Sequence, residues 1–282
     1  MKRAVVFLLF LLFCPSSLPA QSPKHLLLGL ASISGGGGTA AQRARLKGAG
    51  NVLVATYTPT MPFSLYVNNR IQDGKQLKGG KIAISRFGSS SDFAARYILT
   101  RLGVEPVKEA TLMQIGNQRE RLSALLSGAV DGALIDAPNT LLARQQGFRQ
   151  LADASILGLT YPHNNIATTD RFIREEPETV MSFVRAFVEG VAYYKTHKAE
   201  SVQMIREFLR VNDTAVAEEA YDYFARITPA KPYPIIEGIR TVLDEIALTD
   251  PSAKNAKPEQ FVDSSFIAKL DKSGYIDRLY KQ

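Results

Sequence analysis

At 282 residues, with 45% apolar and 22% charged side chains, the chain is long enough for one large or two medium domains and too apolar to be disordered. Its formal charge of +7 comes from basic residues scattered among acidic ones, without a basic stripe interleaved with aromatics, which argues against a nucleic-acid partner. One cysteine, Cys14, leaves no room for a disulfide framework or a thiolate metal site.

The N-terminus reads as a secretory signal over residues 1–20: Lys2 and Arg3, an apolar run from Ala4 to Phe13, a helix-breaking Pro15, and the exit Leu18-Pro19-Ala20. The apolar run is too short to span a bilayer. Cleavage is expected after Ala20, and a lipoprotein anchor through Cys14 is the weaker reading because bulky Phe13 precedes it. Removing Lys2 and Arg3 leaves a mature charge of +5 and no cysteine at all. Such a charge attracts anionic solutes weakly.

His25 to Leu30 is the first expected strand, followed by Ile33, Ser34 and four glycines, Gly35 to Gly38. The glycine run is a flexible ligand loop or, on the entropic looseness of glycine, a connector. A short helix from Thr39 to Lys47 ends at Gly48, and strands are expected at Asn51–Tyr57 and Phe63–Asn68 around the turn Thr58 to Pro62.

The stretch Lys81 to Leu102 carries the densest signal. Ile82, Ala83 and Ile84 form a strand buried on both faces, and Phe93, Ala94, Tyr97, Ile98 and Leu102 recur at helical spacing. Between them Gly88 permits a sharp entry, and Ser89 and Asp92 stand at capping-box spacing. Ser89, Ser90 and Ser91 would then surround unpaired helix N–H groups, a setting for the anionic part of a small ligand; simple helix capping explains the same serines. No Gly-Lys-Ser/Thr follows, so this is not a Walker loop.

Strands at Ala110–Ile115, Gly132–Asp136 and Phe148–Ala152 alternate with helices at Arg119–Leu126 and after Pro138, a pattern that implies parallel pairing and a doubly wound sheet. Ligands of such sheets sit at the carboxyl ends of strands, where Ser89–Asp92 and Asp136 both fall. Asp136 could accept a hydrogen bond from a ligand or cap a helix. Another strand follows Tyr161-Pro162-His163, at Ile166–Thr169; His163 is a donor to an anion or a packing residue. Helices then dominate: Thr179–Tyr193, Val202–Leu209, Val216–Ile227, Ile235–Ile246 and Pro258–Leu270.

The segments beginning at Thr39 and Thr140 echo each other as helix, glycine, strand. The second lies 58 residues beyond its first strand residue, Ile82, and the first only 13 beyond Leu26, a deficit of about 45 residues.

Ile84 to Arg96, Gln114-Ile115-Gly116 with Glu120-Arg121-Leu122, Ala129 to Ala133, Tyr161-Pro162-His163, Ala167-Thr168-Thr169 and Lys231 to Pro234 together resemble periplasmic solute-binding proteins of ABC importers, in the sulfonate, taurine, nitrate and thiamine-precursor class. The resemblance covers nearly all of Lys24 to Gln282 apart from the gap after Gly35. It implies an α/β, periplasmic-binding-protein type II-like two-lobe clamshell with the first lobe truncated and a helical C-terminal part. The first lobe would take 21–66 plus 166–282 and the second 67–165, with Phe63–Asn68 and Asn165–Thr169 crossing between them. It implies a small organic anion as ligand, an inner-membrane ABC permease as partner, a periplasmic monomer, and no cofactor or metal. The ligand residues expected are Ser34, Thr58, Ser89, Ser90, Ser91, Asp136 and His163. An enzyme is not expected: His25, His163 and His197 are the only histidines, in no HExxH, and no Gly-x-Ser-x-Gly elbow is present. The alternative is a truncated, transport-incompetent family member that persists as a folded remnant or an interaction protein.

Overall fold

The computed structural model describes residues 33–37 and 39–281; the signal sequence, Cys14, the strand expected at His25–Leu30, and Gly38 lie outside the described residues. The chain forms two compact units. The first takes the part up to Pro59, Thr160–Arg210 and the part from Phe224; the second takes Thr60–Leu159 and Val211–Tyr223. The two strands expected to cross between lobes each lie inside one sheet. The chain passes from unit to unit a few residues earlier, after Pro59 and after Leu159. Residues 211–223 belong with the second unit, although the sequence reading placed them in the first lobe.

The first unit has a three-stranded antiparallel sheet in the order β1 (Ser34–Gly37), β8 (Asn164–Thr169), β2 (Asn51–Thr58). Its helix α1 (Ala40–Leu46) leads through Gly48, at φ +90°, into β2. The glycine segment is therefore a strand and not a connector or free loop: Ser34 to Gly37 pair backbone to backbone with Ala167 to Asn164. β2 is buried on both faces because α5 (Asp170–Glu175), α6 (Pro177–Thr196), α7 (Lys198–Leu209), α9 (Ile236–Ala247), α10 (Ser265–Lys272) and α11 (Tyr275–Leu279) complete this unit. Val184, Phe187, Val188 and Val191 of α6 pack with Val54, Tyr57, Ile166, Phe266 and Leu270, and Tyr57 meets Phe187 edge to face at 5.5 Å.

The second unit has a five-stranded sheet in the order β5 (Thr111–Gln114), β4 (Lys81–Ile84), β6 (Gly132–Ile135), β3 (Ser64–Val67), β7 (Arg149–Asp153). β4 runs parallel to β5 and β6, as the strand–helix alternation requires, and β3 is antiparallel to both of its neighbours. The sheet is thus mixed. β3 reaches it through the turn after Thr58 and without a crossover helix, so it need not share the direction of the others. Helices α2 (Ser90–Arg101), α3 (Gln118–Leu126) and α4 (Asn139–Gln145) follow β4, β5 and β6, and the first part of α8 (Thr214–Ile227) completes the unit. Leu122, Leu125, Val130, Ala133, Ile135 and Ala143 close its core around Tyr66 and Ala83.

The helix expected over 258–270 is broken. A 3-10 turn, Pro258–Phe261, precedes α10, and between them Val262 bridges Leu53 while the Asp263 N–H donates to the Leu53 carbonyl at 2.8 Å. These residues cover part of β2's outer edge, which an uninterrupted helix could not do. No helix among the described residues is long and apolar enough to cross a membrane.

Candidate functional site

At the carboxyl end of β4 the chain turns through Ser85 to Ser89 into α2. Three hydroxyls converge there: Ser85 Oγ donates to Ser89 Oγ at 2.8 Å and lies 2.9 Å from Ser91 Oγ, which is 3.0 Å from Ser89 Oγ. Ser91 Oγ also accepts from the Ser85 N–H at 2.9 Å, fixing the first turn of the helix against the strand. Ser89 is the N-cap, accepting from the Asp92 N–H, as its spacing predicts. The reciprocal bond of a capping box is shifted by one residue, because Asp92 Oδ2 accepts from Gly88 N at 2.8 Å and leaves Ser89 N to the Arg86 carbonyl. Gly88, at φ +72°, makes that detour possible. Asp92 Oδ1 is held by Arg96 Nε at 2.8 Å. The N–H groups of Ser90 and Ser91 are first-turn donors, for which a helix has no acceptor of its own. Phe87 beside them is 52% exposed, with its N–H donated to Gln114 Oε1.

The ends of β5 and β6 border this turn. Ile82 pairs with Gly132 and Ala83 with Ala133, so the residues leaving β4 and β6 emerge side by side. Asp136 is the first residue beyond β6; its N–H donates to Gln118 Oε1 at 2.7 Å, and Asn139 Nδ2 shares that acceptor. Asp136 keeps a partial opening to solvent while its carboxyl is packed round by protein atoms, and this burial pushes it up to about 7 against the pull of Gln118 and Arg121. Arg121 is buried in the first turns of α3, with Nε donated to the Leu134 carbonyl and Nη1 to the Gly116 carbonyl, both at 2.6 Å. Burial lowers it to about 10, so it remains cationic at neutral pH. α3 itself starts from a full capping box between Asn117 and Glu120.

Of the seven residues the sequence singles out, Ser89, Ser90, Ser91 and Asp136 share this sheet edge. Thr58 and His163 come together in the first unit, where the His163 N–H donates to the Thr58 carbonyl at 2.9 Å. Asn164 Nδ2 reaches Thr58 Oγ1, and Asn165 bonds Thr56 Oγ1 and the Pro162 carbonyl. All of these residues are buried, and burial lowers the His163 imidazole to about 4; at neutral pH it is uncharged. Ser34 is an exposed residue of β1, on the opposite side of β8 from Thr58. Ser85, Gln118 and Arg121 were not among the expected residues; a serine closing the strand before a serine-rich turn is the one local signal that pointed to Ser85. Among the described residues no group of three or more His, Cys, Asp or Glu side chains could hold a metal ion.

The fold has counterparts. A protein of Bacillus subtilis (strain 168), named as a candidate aliphatic sulfonates-binding protein, is 27% identical over 203 residues, 72% of this chain and 60% of its own. The chain thus spans about three fifths of that relative's length. Among solved structures, the periplasmic aliphatic sulphonate binding protein SsuA from Escherichia coli matches with a TM-score of 0.72 at 19% identity, over 93% of this chain and 89% of that one. The desulfurization enzyme DSZB matches with a TM-score of 0.66 at 14% identity, over 86% and 85%. At these identities the solved structures establish the fold, which binding proteins and an enzyme share. The family model described as NMT1/THI5 like matches residues 14–201. That span runs through the serine turn, the capped α3, and β6 with Asp136 just beyond it, and on it the chain belongs to the NMT1/THI5-like family.

Proposed function

We propose that the chain is an exported solute-binding protein of an ABC transporter, and that it captures a small organic anion, a sulfonate before a carboxylate or a thiamine-precursor-like compound, for import. The observation that carries this reading is the serine triangle of Ser85, Ser89 and Ser91 around the first-turn donors of α2, at the carboxyl end of a parallel strand. A sulfonate has three acceptor oxygens and keeps its charge at every ordinary pH, which suits the first-turn N–H donors that the serines hold in place, Ser89 Oγ itself donating to the Arg86 carbonyl at 2.7 Å. The sulfonate-binding relatives support the choice of anion. Ser89, Ser90 and Ser91 are the proposed contacts, with Ser34, Thr58 and His163 as further candidates on the first unit, His163 acting there as a neutral imidazole. The permease and the periplasmic location belong to the same proposal.

Isothermal titration with ethanesulfonate, taurine, nitrate and acetate, in a sulfonate-free buffer, tests it. Saturable binding of at least one is expected, weakened tenfold or more by Ser91→Ala. A well-folded protein that binds none of them would refute the reading.

A second reading, a family member shortened in its first lobe that no longer transports and persists as a folded remnant or an interaction protein, is favoured by the three described strands of the first unit against five in the second. Failure of the chain to support sulfonate uptake alongside an intact permease, with binding retained, would select it.

A further inference from the structure

Resting on the anion-binding reading above, we propose that Asp136 and Arg121 form a charge-balancing pair in this site, so that each organic anion is bound together with one proton that Asp136 takes from solvent. Three observations lead there. Arg121 is 2% exposed, yet its guanidinium is satisfied by two backbone carbonyls and has no carboxylate in ion-pair contact among the described residues. A buried cation so placed leaves a positive field at the ends of β5 and β6. Asp136 is the carboxylate that feels it, and it stands where β6 leaves the sheet beside the serine turn.

The other charged groups of the surrounding elements are already committed. Glu120 of α3 caps Asn117, Asp92 of α2 is tied to Arg96, Asp153 at the end of β7 accepts from the Ser155 N–H, and Glu219 of α8 holds Arg144 and Thr140 of α4. Arg86 follows Ser85 at the turn and is exposed. Asp136 is therefore the group free to change state when a second negative charge arrives. A sulfonate at the serine rim and an ionised Asp136 would repel each other in a poorly solvated space, whereas protonation removes the repulsion and leaves an acid O–H that can donate to a sulfonate oxygen. The sulfonate takes over as counter-charge to Arg121, and the balance is one carboxylate, one proton and one anion giving one neutral acid and one bound anion. Burial has already moved the Asp136 carboxyl to about 7, so little further change is needed near neutral pH.

The experiment is titration of the full chain with ethanesulfonate at pH 6, 7, 8 and 9 in sulfonate-free buffer, with proton uptake followed directly in weakly buffered solution. Ethanesulfonate itself does not titrate in this range, so any proton taken up belongs to the protein. Expected is a dissociation constant that is flat at the acid end and rises by up to tenfold per pH unit above about pH 7, with proton uptake approaching one per ligand. Asp136→Asn, which mimics the neutral acid, should hold the wild-type acid-limb affinity at every pH; a merely structural role would leave the slope in place. Should that variant misfold, the wild-type proton count still decides. Binding that is flat from pH 6 to 9 without proton uptake, or a slope that persists in Asp136→Asn, overturns the inference and leaves the anion-binding reading standing. Absence of binding at any pH overturns both.

Discussion

His163 and Asp136 are both displaced from their ordinary titration ranges by burial, and in opposite senses for stability. The folded His163 imidazole stays neutral down to about pH 4, whereas in the unfolded chain it takes a proton near 6.5. Its contribution is therefore complete above about pH 6.5 and is lost as the pH falls toward 4, a limb of about 3 kcal/mol. From pH 7 to 4.5 the urea midpoint of the wild type should drop relative to that of His163→Gln measured alongside it; parallel profiles would mean that the imidazole is solvated. Asp136 behaves the other way. Its folded carboxyl holds a proton that the unfolded chain releases near 4, so stability is greatest at low pH and declines as the pH rises through about 7. Asp136→Asn should raise the melting temperature at pH 8 and change it little at pH 4.5. Between about pH 4 and 6.5 the two limbs run in opposite directions and largely offset each other.

Gly132 shows how tightly the second unit's sheet is packed between β4 and β3. A Cβ there would lie 2.9 Å from Ile82 Cδ1 and 3.1 Å from Leu65 Cδ1, closer than side chains normally pack. Gly132→Val should cost about 1–3 kcal/mol of overpacking in urea unfolding, and a cost below a few tenths would mean that β4 and β3 can part at this point. The strand, turn and helix around Ser89 were readable because the signals are local: an apolar run, a cap three residues from its partner, and apolar spacing in α2. β1 was not readable. Ser34 to Gly37 present no side-chain pattern, and their pairing is supplied by backbone groups of β8 about 130 residues later. Arg121 was equally hidden, since a lone arginine on a helix reads as solvated; only the carbonyls of Gly116 and Leu134, brought in by two other elements, make its burial possible. Thr58 reads as a strand-end hydroxyl and His163 as a hinge donor, but both are buried in the first unit, which residue type cannot foretell. The break before α10 follows the same rule, because Val262 and Asp263 serve β2 and not their own helix.

Each unit has its own core, and the repeat seen in the sequence is structural: α1 delivers β2 to β8 as α4 delivers β7 to β3, antiparallel in both cases. In the second unit the other neighbour of β3 is β6, and in the first the other neighbour of β8 is the glycine strand β1. β1 thus stands where β6 stands, but without the counterparts of β4, α2, β5 and α3 before it among the described residues. Those are the elements whose ends carry the serine triangle and the Gln118–Arg121 cluster in the second unit. If loops after parallel strands supply the polar contacts, the second unit supplies most of them. Hydrogen exchange of the full chain should then show ethanesulfonate slowing amides at Ser89–Phe93 and Leu134–Thr140 more than any in β2 or β8. The N–H groups of Ser90 and Ser91 are the most sensitive probes, because the helix leaves them for the ligand. Protection confined to β2, β8 and the His163 segment would move the anion to the first unit and remove Ser89, Ser91 and Asp136 from its binding.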